Sequence, residues 1–340
     1  MDSIIDVQKR IIPDLIQVMQ KRFQILRSIN FMQPVGRRNL SQTLHITERV
    51  LRGEIQFLKE QQLVSVTNAG MSLTEDGKII LEKLETMMRD ISGVSDLERS
   101  LKKTLQTRDC IVVPGNTDES SWVKYELGRA CLNHMKDHLK EQNIIAVTGG
   151  TTIAAVADAL TSDFSDKELL FVPARGGIGT DVKNQANSIC EVMAEKTNSK
   201  HMVLYVPDQV SENIYEFFKN EPYVFEVLSK IRSANIVIHG IGEAITMAKR
   251  RKTSEDDMRK IVEGKAVAEA FGYYFNENGE VVHKVQTIGL QLEDLNKIDM
   301  IYAVAGGESK AKAIKAYMKI APKNTILVTD EAVSKLILKG

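Results

Sequence analysis

The stretch NIIAVTGGTTIAAVADAL, residues 143–160, decides the fold of the larger part of this chain. Residues 143–147 are almost continuously apolar, which is typical of a strand buried on both faces of a parallel sheet. Gly149 and Gly150 form a turn after the strand, and residues 153–160 have the pattern of a helix. A strand, a tight turn and a helix in this order indicate a βαβ unit, so we expect a parallel sheet covered by helices.

The same pattern repeats on both sides of this stretch. Helical segments separate further short, β-branched strands, which indicates a doubly wound, mostly parallel α/β sheet. Residues 271–282 differ, because two short apolar runs flank Asn278-Gly279, a dipeptide that favours a hairpin turn. The predicted strands of the parallel sheet are 110–113, 143–147, 169–172, 202–206, 235–239, 300–304 and 325–328.

Length and charge distribution predict more than one domain. With 340 residues, the chain is long for one core and comfortable for two. Between Gln20 and Glu60, eight Lys and Arg residues stand against three Glu residues, so this segment is basic in a chain whose net charge is zero. Such asymmetry is the electrostatic footprint of a modular DNA-binding protein, and chance is the alternative explanation. We divide the chain into a DNA-binding domain (1–74), a helical connector (75–106) and an α/β domain (107–340).

The basic segment has the pattern of a winged helix-turn-helix. Residues 1–20 indicate a leading amphipathic helix with a break near Pro13, and three short helices and a wing around Asn68-Ala69-Gly70 follow. In this fold the N-terminal part of the second motif helix enters the major groove. The alternative is a small helical domain with a solvated charged face. The expected DNA contacts are Arg49 and Arg52 as base or phosphate readers, Arg37 and Arg38 on phosphates, and Thr47, Glu48 and Gln56.

The connector contains an apolar seam with heptad spacing, formed by Leu81, Leu84, Met88 and Ile91. Two heptads are equally consistent with a contact between subunits and with a helix that packs on its own domain. Ser92-Gly93 follows the seam, so we expect the helix to end there at a hinge.

Three strand ends of the predicted sheet carry turns that suit an anion. The first, Gly149-Gly150-Thr151-Thr152, combines backbone N–H groups, hydroxyls and a helix N-terminus. The second, Gly306-Gly307-Glu308-Ser309-Lys310, adds a lysine, and Arg175 lies in the third. Ligands of open α/β sheets bind beyond the carboxyl ends of the strands. The sequence therefore favours a phosphorylated ligand over purely structural turns, and the duplicated glycine turns favour two phosphates.

Other polar residues are weaker candidates for the same site. Arg250 lies in the basic run 249–252, which is otherwise a solvated surface segment. Glu269 and Gln185 are able to bond sugar hydroxyls, or else are ordinary surface residues. The chain has neither Gly-x-Gly-x-x-Gly after a strand nor Gly-x4-Gly-Lys-Ser/Thr, so we expect no dinucleotide or ATP and no cofactor.

Three further signals narrow the class of protein. No apolar run approaches the roughly 20 residues that span a bilayer, so we expect no membrane partner. The three cysteines are far apart, which favours a reducing cytoplasm and buried thiols over disulfides. His134 and His138 have the spacing of a zinc pair, but the glutamate of a metalloprotease motif is missing, so we expect a solvated helix face, His239 in the core and no metal site.

Four segments together resemble the SorC family of sugar-responsive transcription regulators: 47–54, 147–152, 172–177 and 270–275. The resemblance covers essentially the whole chain. It implies a cytoplasmic repressor of a lower-glycolysis operon that fructose-1,6-bisphosphate releases from double-stranded operator DNA. It also implies an effector domain related in fold to the Rossmann-type sugar-phosphate isomerases.

Residue by residue, the resemblance implies that Thr151, Thr152 and Arg175 hold one phosphate region, and that Arg250, Glu269 and Lys310 complete the site. Broader members of the family often have an aromatic residue before the Gly-Thr of the first turn. This chain has Thr148-Gly149-Gly150 there, so ligand details of distant members do not transfer.

A rival hypothesis is a sugar-phosphate isomerase with an accessory N-terminal module. An isomerase needs a positioned base, and Glu269 and Asp181 are the candidates, but neither lies in a motif that demands this role. We therefore favour a regulator over an enzyme. Repressors of this kind bind repeated DNA sites, so we expect a homodimer or homotetramer, with the heptad seam as the candidate contact.

Overall fold

A computed structural model describes residues 11–44, 46–178 and 181–339. The chain divides into two compact units, and the boundary lies between Ser95 and Asp96. The predicted leading helix at residues 1–20 therefore lies partly outside the described residues. Within the described residues, no helix combines the length and the apolarity that a bilayer crossing requires.

Between residues 13 and 91, the first unit contains three helices, a two-stranded wing and a closing helix of 17 residues, as a winged helix-turn-helix requires. Apolar residues at helical spacing, such as Leu51, Ile55 and Leu58, fill its core. The wing strands pair antiparallel, with Val64 opposite Leu73. The elements are α1 (Pro13–Met32), α2 (Arg37–Thr43), α3 (Glu48–Glu60), β1 (Val64–Thr67), β2 (Gly70–Leu73) and α4 (Glu75–Ile91).

The first helix is longer than predicted, and it begins directly after the predicted break near Pro13, because Ile11 is helical and Ile12 is not. Helix α1 begins at Pro13 and continues to Met32, so part of the predicted leading segment and the first motif helix are one helix. Proline is tolerated in the first turn, where its missing N–H would have no intrahelical partner. The predicted break near Pro13 is thus present, and what the sequence did not reveal is that the helix after it continues to Met32.

The predicted seam packs within its own unit. Leu81, Met88 and Ile91 are buried in the core of the first unit, and Leu84 is partly buried against the same core. The exposed apolar side chains of α4 are others, namely Ile79, Ile80 and Met87. The proposal that the seam joins two subunits was wrong, because these side chains are already covered by the chain itself.

The second unit contains the predicted parallel sheet, and this confirms the doubly wound fold. Its seven strands have the order β3-β13-β12-β7-β4-β5-β6, and every pair is parallel. The strands are β3 (Asp109–Val113), β4 (Gln142–Val147), β5 (Glu168–Pro173), β6 (Lys200–His201), β7 (Ile236–His239), β12 (Met300–Val304) and β13 (Thr325–Asp330).

The prediction of a strand at residues 202–206 was wrong. The edge strand β6 ends at His201, and Met202 makes the last backbone bond to Phe171 of β5. The side-chain amide of Asn187 then bonds both the N–H and the carbonyl of Leu204, at 3.0 and 3.1 Å. These bonds replace a strand partner, so the segment leaves the sheet.

A second, antiparallel sheet contains the predicted hairpin and two strands that the sequence did not reveal. Its order is β11-β10-β9-β8. The missed strand β9 is rich in alanine, which has a low β propensity, and β8 has two residues. The four strands are β8 (Gly242–Glu243), β9 (Ala266–Ala270), β10 (Tyr273–Asn276) and β11 (Val281–Lys284).

Helices cover the parallel sheet and connect its strands. Helix α6, between β3 and β4, packs apolar side chains such as Leu127, Cys131 and Met135 into the core of the sheet. The helices are α5 (Val94–Leu105), α6 (Ser121–Lys136), α7 (Thr151–Ala159), α8 (Ala186–Thr197), α9 (Glu212–Asn220), α10 (Pro222–Arg232), α11 (Ala244–Arg250), α12 (Glu255–Glu263), α13 (Ala311–Met318) and α14 (Glu331–Lys339).

Candidate DNA-binding face and effector site

Helix α3 presents a polar face to solvent. The Thr47 hydroxyl accepts a hydrogen bond from the Val50 N–H at 3.3 Å, which caps the helix, and Glu48 lies in its first turn. Arg49 and Arg52 are exposed on the side opposite the buried stripe. Gln56 is also exposed, and its amide donates to the Glu60 carboxylate at 2.8 Å.

Four exposed arginines supply the positive charge of this unit. Arg37 and Arg38 lie at the start of α2, and Arg49 and Arg52 at the start of α3. None of the four forms an ion pair with a described residue. Their charges are therefore available to an external anion.

Two other basic residues in the same segment have an internal role. Lys21 and Arg22 of α1 form ion pairs of 2.6 and 2.9 Å with Glu54 of α3. Burial acts to raise the pKa of Glu54, but these two partners hold it below its ordinary value. The Arg22 guanidinium also lies 3.6 Å from the centre of the Phe57 ring. These contacts fix the orientation of α3 on α1. Lys21 and Arg22 are neutralised by Glu54, so fewer basic side chains are available to DNA than the eight counted in the sequence.

The second unit contains a cavity of about 640 Å³ at the carboxyl ends of neighbouring strands. Thr148 follows β4, Arg175 follows β5 and Gly240 follows β7, and all three line it. This is the position at which open α/β sheets bind ligands. Ten of the twelve predicted effector residues line the cavity: Gly149, Gly150, Thr151, Thr152, Arg175, Gln185, Arg250, Glu269, Ser309 and Lys310.

The turn after β4 brings a helix N-terminus to the cavity wall. Gly150 has a φ of +125°, which favours glycine, and helix α7 starts at Thr151 without a side-chain cap. The Gly150 N–H donates to the Asn184 carbonyl at 2.9 Å. A Cβ atom at Gly149 would lie 2.7 Å from that carbonyl oxygen. The first N–H groups of α7 lack intrahelical partners by geometry, so this end of the helix suits an anion.

A buried network of four charges forms another part of the site. Arg175 pairs with Asp208 at 2.5 Å and with Glu269 at 3.4 Å. Arg251 pairs with the same two carboxylates at 3.2 and 2.8 Å, and its guanidinium donates to the Tyr274 hydroxyl at 3.0 Å. At most 6% of any of the four charged side chains is exposed. Two cations and two anions cancel, so Arg175 is not a free charge.

The ion pairs set the protonation of this network. Burial acts to raise the pKa of Glu269, but the charges of Arg251 and Arg175 hold it below its ordinary value. Burial acts to lower the pKa of Arg251, and Glu269 and Asp208 raise it instead. Glu269 also accepts a bond from the Gly272 N–H at 2.7 Å. Glu269 and Arg251 are therefore held in their charged forms at neutral pH.

The sequence did not reveal Asp208 and Arg251. A signal for Arg251 exists, because Ala244, Ala248 and Arg251 follow one another at spacings of four and three, which places them on one helix face. Ala244 and Ala248 are fully buried. Asp208 lies in a segment of irregular structure and has no comparable pattern.

Gln185 stabilises the loop beside the cavity. Its side-chain oxygen accepts from the Ile178 N–H at 2.8 Å, and its amide donates to the Ile178 carbonyl at 2.5 Å. Both polar atoms of the Gln185 side chain, which the sequence suggested as partners of sugar hydroxyls, are thus used in bonds to Ile178.

The second glycine turn is occupied by side chains of the chain itself. Gly306 and Gly307 do not line the cavity. The Gly307 N–H donates to the buried Asp330 carboxylate at 2.7 Å, and a Cβ atom at Gly306 would lie 2.6 Å from the same carboxylate. Ser309 lines the cavity, but Asp118 accepts both its N–H and its hydroxyl, at 2.9 and 3.0 Å. Internal carboxylates thus explain the glycines, and the duplicated turns no longer argue for two phosphates.

Lys310 and Arg250 are different, because each lines the cavity without an ion pair to a described residue. Burial and the nearby Lys124 lower the pKa of Lys310, against the opposite influence of Asp118 and Asp330. A partly buried ammonium without a close anion is costly. The four-charge network has no net charge. Lys310 and Arg250 therefore supply the positive charge of the cavity.

The discounted groups have structural roles. His239 is fully buried, contacts Tyr317 and the Gly240 carbonyl, and has a pKa lowered by burial to about 4. His134 and His138 stack on each other, and the described part of the chain holds no cluster of three or more ligands for a metal ion. The three cysteines are buried free thiols. His239 lies in the core as predicted, whereas His134 is partly buried and bonds the Tyr302 hydroxyl at 3.0 Å, so the predicted solvated face holds only for His138.

Comparisons with known proteins also separate an N-terminal region from a larger C-terminal region. Residues 18–88 match the family described as CggR N-terminal DNA binding domain, and residues 89–339 match the Sugar-bind family of sugar-binding domains. The chain is 55% identical to the "Central glycolytic genes regulator" of Bacillus subtilis (strain 168), over 100% of this chain and 99% of that protein. It is 52% identical to the protein of the same name from Priestia megaterium, with the same coverage.

A solved structure extends the comparison to the fold. A SorC family transcriptional regulator from Enterococcus faecalis superposes with a TM-score of 0.68 at 47% identity, and the match covers 72% of this chain and 99% of that one. The close relatives are transcriptional regulators with a DNA-binding domain, so this protein is a regulator and not an enzyme. The two family matches and these relatives show that the chain belongs to the SorC family of sugar-binding transcriptional regulators.

Proposed function

We propose that the chain is a repressor of a glycolytic operon and that a phosphorylated sugar, fructose-1,6-bisphosphate, releases it from its operator. One observation carries the sugar-phosphate assignment. Lys310 and Arg250, two cations without an ion pair to a described residue, line the same cavity as the uncapped N-terminus of α7. Phosphate groups bind where backbone N–H groups and full positive charges converge.

The bisphosphate is the finer part of this proposal. Arg175 is neutralised by Asp208 and Glu269, so it does not demand an anion. Lys310 lies at the turn after β12, whereas Arg250 is the last residue of α11, so the two free charges belong to different elements. Two phosphates on one sugar would neutralise both charges. The names of the relatives from Bacillus subtilis and Priestia megaterium support an operon of central glycolysis.

Calorimetric titration of the full chain tests the effector. We expect fructose-1,6-bisphosphate to bind more tightly than fructose 6-phosphate, and fructose without phosphate to give no measurable heat of binding. Equal affinity for the bisphosphate and the monophosphate would refute the two-phosphate proposal. Equal affinity for fructose would refute a phosphate site altogether.

For the DNA, we infer that α3 reads the operator and α2 contacts its backbone. Arg49→Ala or Arg52→Ala should cost about 1–3 kcal/mol of operator affinity and relax specificity at one base pair, if the guanidinium pairs with guanine. Arg38→Ala should weaken operator and random DNA alike and lower the salt slope by about one. Fluorescence titrations against both DNAs measure these effects, with the exposed Lys59→Ala as control. Uniform, small effects of all three arginines would contradict the assignment.

We also propose that the repressor acts in the cytoplasm as a homodimer or homotetramer. Operators read by a helix-turn-helix are usually repeated, which favours more than one DNA-binding unit. The α4 seam is buried, so the candidate contacts become exposed aromatic side chains of the second unit, such as Tyr205, Phe217 and Phe225. Sedimentation of the full chain should give at least a dimer, and a monomer at micromolar concentration would contradict this.

A further inference from the structure

Asp118 lies against the turn that brings Ser309 and Lys310 to the cavity. It belongs to the loop between β3 and α6, and it is exposed. Its Oδ2 accepts the Ser309 N–H at 2.9 Å, and its Oδ1 accepts the Ser309 hydroxyl at 3.0 Å. One carboxylate thus uses both hydrogen-bond donors of Ser309, in the arrangement that two oxygens of a phosphate would also adopt.

The backbone of the turn is shaped around this carboxylate. Gly307 has a φ of +101°, and a Cβ atom at this position would overlap the Asp118 carboxylate. Any other residue would therefore push Asp118 away from Ser309. The second glycine of the turn is required by Asp118, whereas the sequence alone suggested that it was required by a ligand.

The charge of Asp118 also acts on Lys310. The carboxylate favours the charged form of this lysine, although it makes no ion pair within 4 Å of it. A phosphate at the cavity wall would be attracted by Lys310 and repelled by Asp118 at the same time. Asp118 is exposed, so solvent screens its repulsion in part, whereas the charge of the partly buried Lys310 is screened less.

We propose that Asp118 is an internal competitor of the effector phosphate and that it lowers the affinity of the site. The carboxylate holds the donors of Ser309 and reduces the positive potential at Lys310 until a phosphate takes its place. This inference rests on the proposed function, because it assumes that a phosphate binds beside Ser309 and Lys310. The competing explanation is a simple cap, since an acidic side chain that accepts the Ser309 N–H also stabilises the turn that leads into α13.

The isosteric variant Asp118→Asn separates the two explanations. It removes the charge but keeps an oxygen that accepts one bond from Ser309. We expect it to bind inorganic phosphate and fructose-1,6-bisphosphate about three- to tenfold more tightly than the wild type. Asp118→Ser, which retains a hydroxyl cap, should tighten binding in the same direction. Glu119→Gln is the control, because it removes one charge from the adjacent exposed residue, whose side chain bonds Asn116 instead of the turn.

Calorimetry of the full-length variants gives the answer, with thermal unfolding as a check of the fold. Unchanged or weaker phosphate binding in both Asp118 variants would refute competition and leave only a helix cap. Equal tightening in Glu119→Gln would also refute it, since the effect would then be general electrostatics. If the wild type binds no phosphate compound and Lys310→Met changes nothing, the proposed function itself fails. If the wild type binds phosphate and Lys310→Met weakens this binding, the proposed function stands. The affinities of the two Asp118 variants then test only the proposed competition.

Discussion

Replacement of Arg251 with leucine should lower the free energy of unfolding of the second unit by about 3–5 kcal/mol. Arg251 is almost fully buried and bonds Asp208, Glu269 and the Tyr274 hydroxyl. Without it, one arginine remains for two buried carboxylates, so a net negative charge stays in the interior. Removing one partner of a buried ion network lowers the free energy of unfolding by more than the intact network contributes to it.

The neighbouring residue offers a matched control. Arg250→Leu is the same type of substitution at the preceding residue. Arg250 is only partly buried and has no ion pair with a described residue. We expect its unfolding free energy to change by less than about 0.5 kcal/mol, while its effector response falls. Thermal unfolding should show a decrease of roughly 10 °C for Arg251→Leu and almost none for Arg250→Leu. Equal stability of the two variants would refute the network.

The pH dependence of the Arg251 variant has a defined sign. The pKa of Glu269 is lowered in the folded protein, so its ionised form contributes stability above the ordinary value of 4.5. That contribution is lost as the pH falls through the lowered pKa. Arg251→Leu removes the largest favourable charge, so the difference in unfolding free energy between wild type and variant should be greatest near pH 7 and shrink on acidification. A difference that grows with acid would contradict this account.

Lys310→Met should weaken the binding of fructose-1,6-bisphosphate about 10- to 100-fold. A hydrogen bond to a charged group contributes about 1.5–3 kcal/mol, and each 1.4 kcal/mol is a factor of ten in affinity. Titration calorimetry measures the loss. Lys312→Met is the control, because Lys312 is exposed and pairs with Glu277 on the surface. Equal losses in both variants would show that the cavity does not bind the phosphate.

The same substitution should make the unliganded protein slightly more stable at neutral pH. Burial first, and then the nearby Lys124, lower the pKa of Lys310, so folding disfavours its charged form. The folded state therefore binds this proton less tightly than the unfolded state, and stability rises as the pH approaches the ordinary value of 10.5. Lys310→Met removes this pH dependence. A residue that lowers stability but strengthens binding is typical of a functional site.

The sequence predicted the elements whose pattern is local. Continuous apolar runs gave the parallel strands, and glycine turns at their carboxyl ends marked the cavity. The edge segment 202–206 was assigned wrongly, because the side-chain bonds of Asn187 to Leu204 depend on tertiary structure. The seam of α4 was ambiguous for a related reason, since heptad spacing does not specify what a helix packs against.

The charges of the site were harder to predict than its position. Arg175 was identified, but nothing local to it shows that Asp208 and Glu269 neutralise it. Likewise, the turn at Gly306-Gly307 looks like an anion site in sequence, and the residues that occupy it, Asp118 and Asp330, come from other loops. Composition at a strand end therefore indicates where a ligand binds, whereas the pairing of charges decides which groups remain available for it.

The most direct test of this account is an equilibrium titration of the full-length protein bound to labelled operator DNA. A ligand shifts DNA affinity only through its preference for one conformation of the protein. Fructose-1,6-bisphosphate should release the DNA at lower concentration than fructose 6-phosphate, and the Lys310→Met protein should bind operator normally but need about 10- to 100-fold more of the bisphosphate. Release of the Lys310→Met protein at the wild-type concentration, or no release of the wild type by either sugar phosphate, would contradict the account.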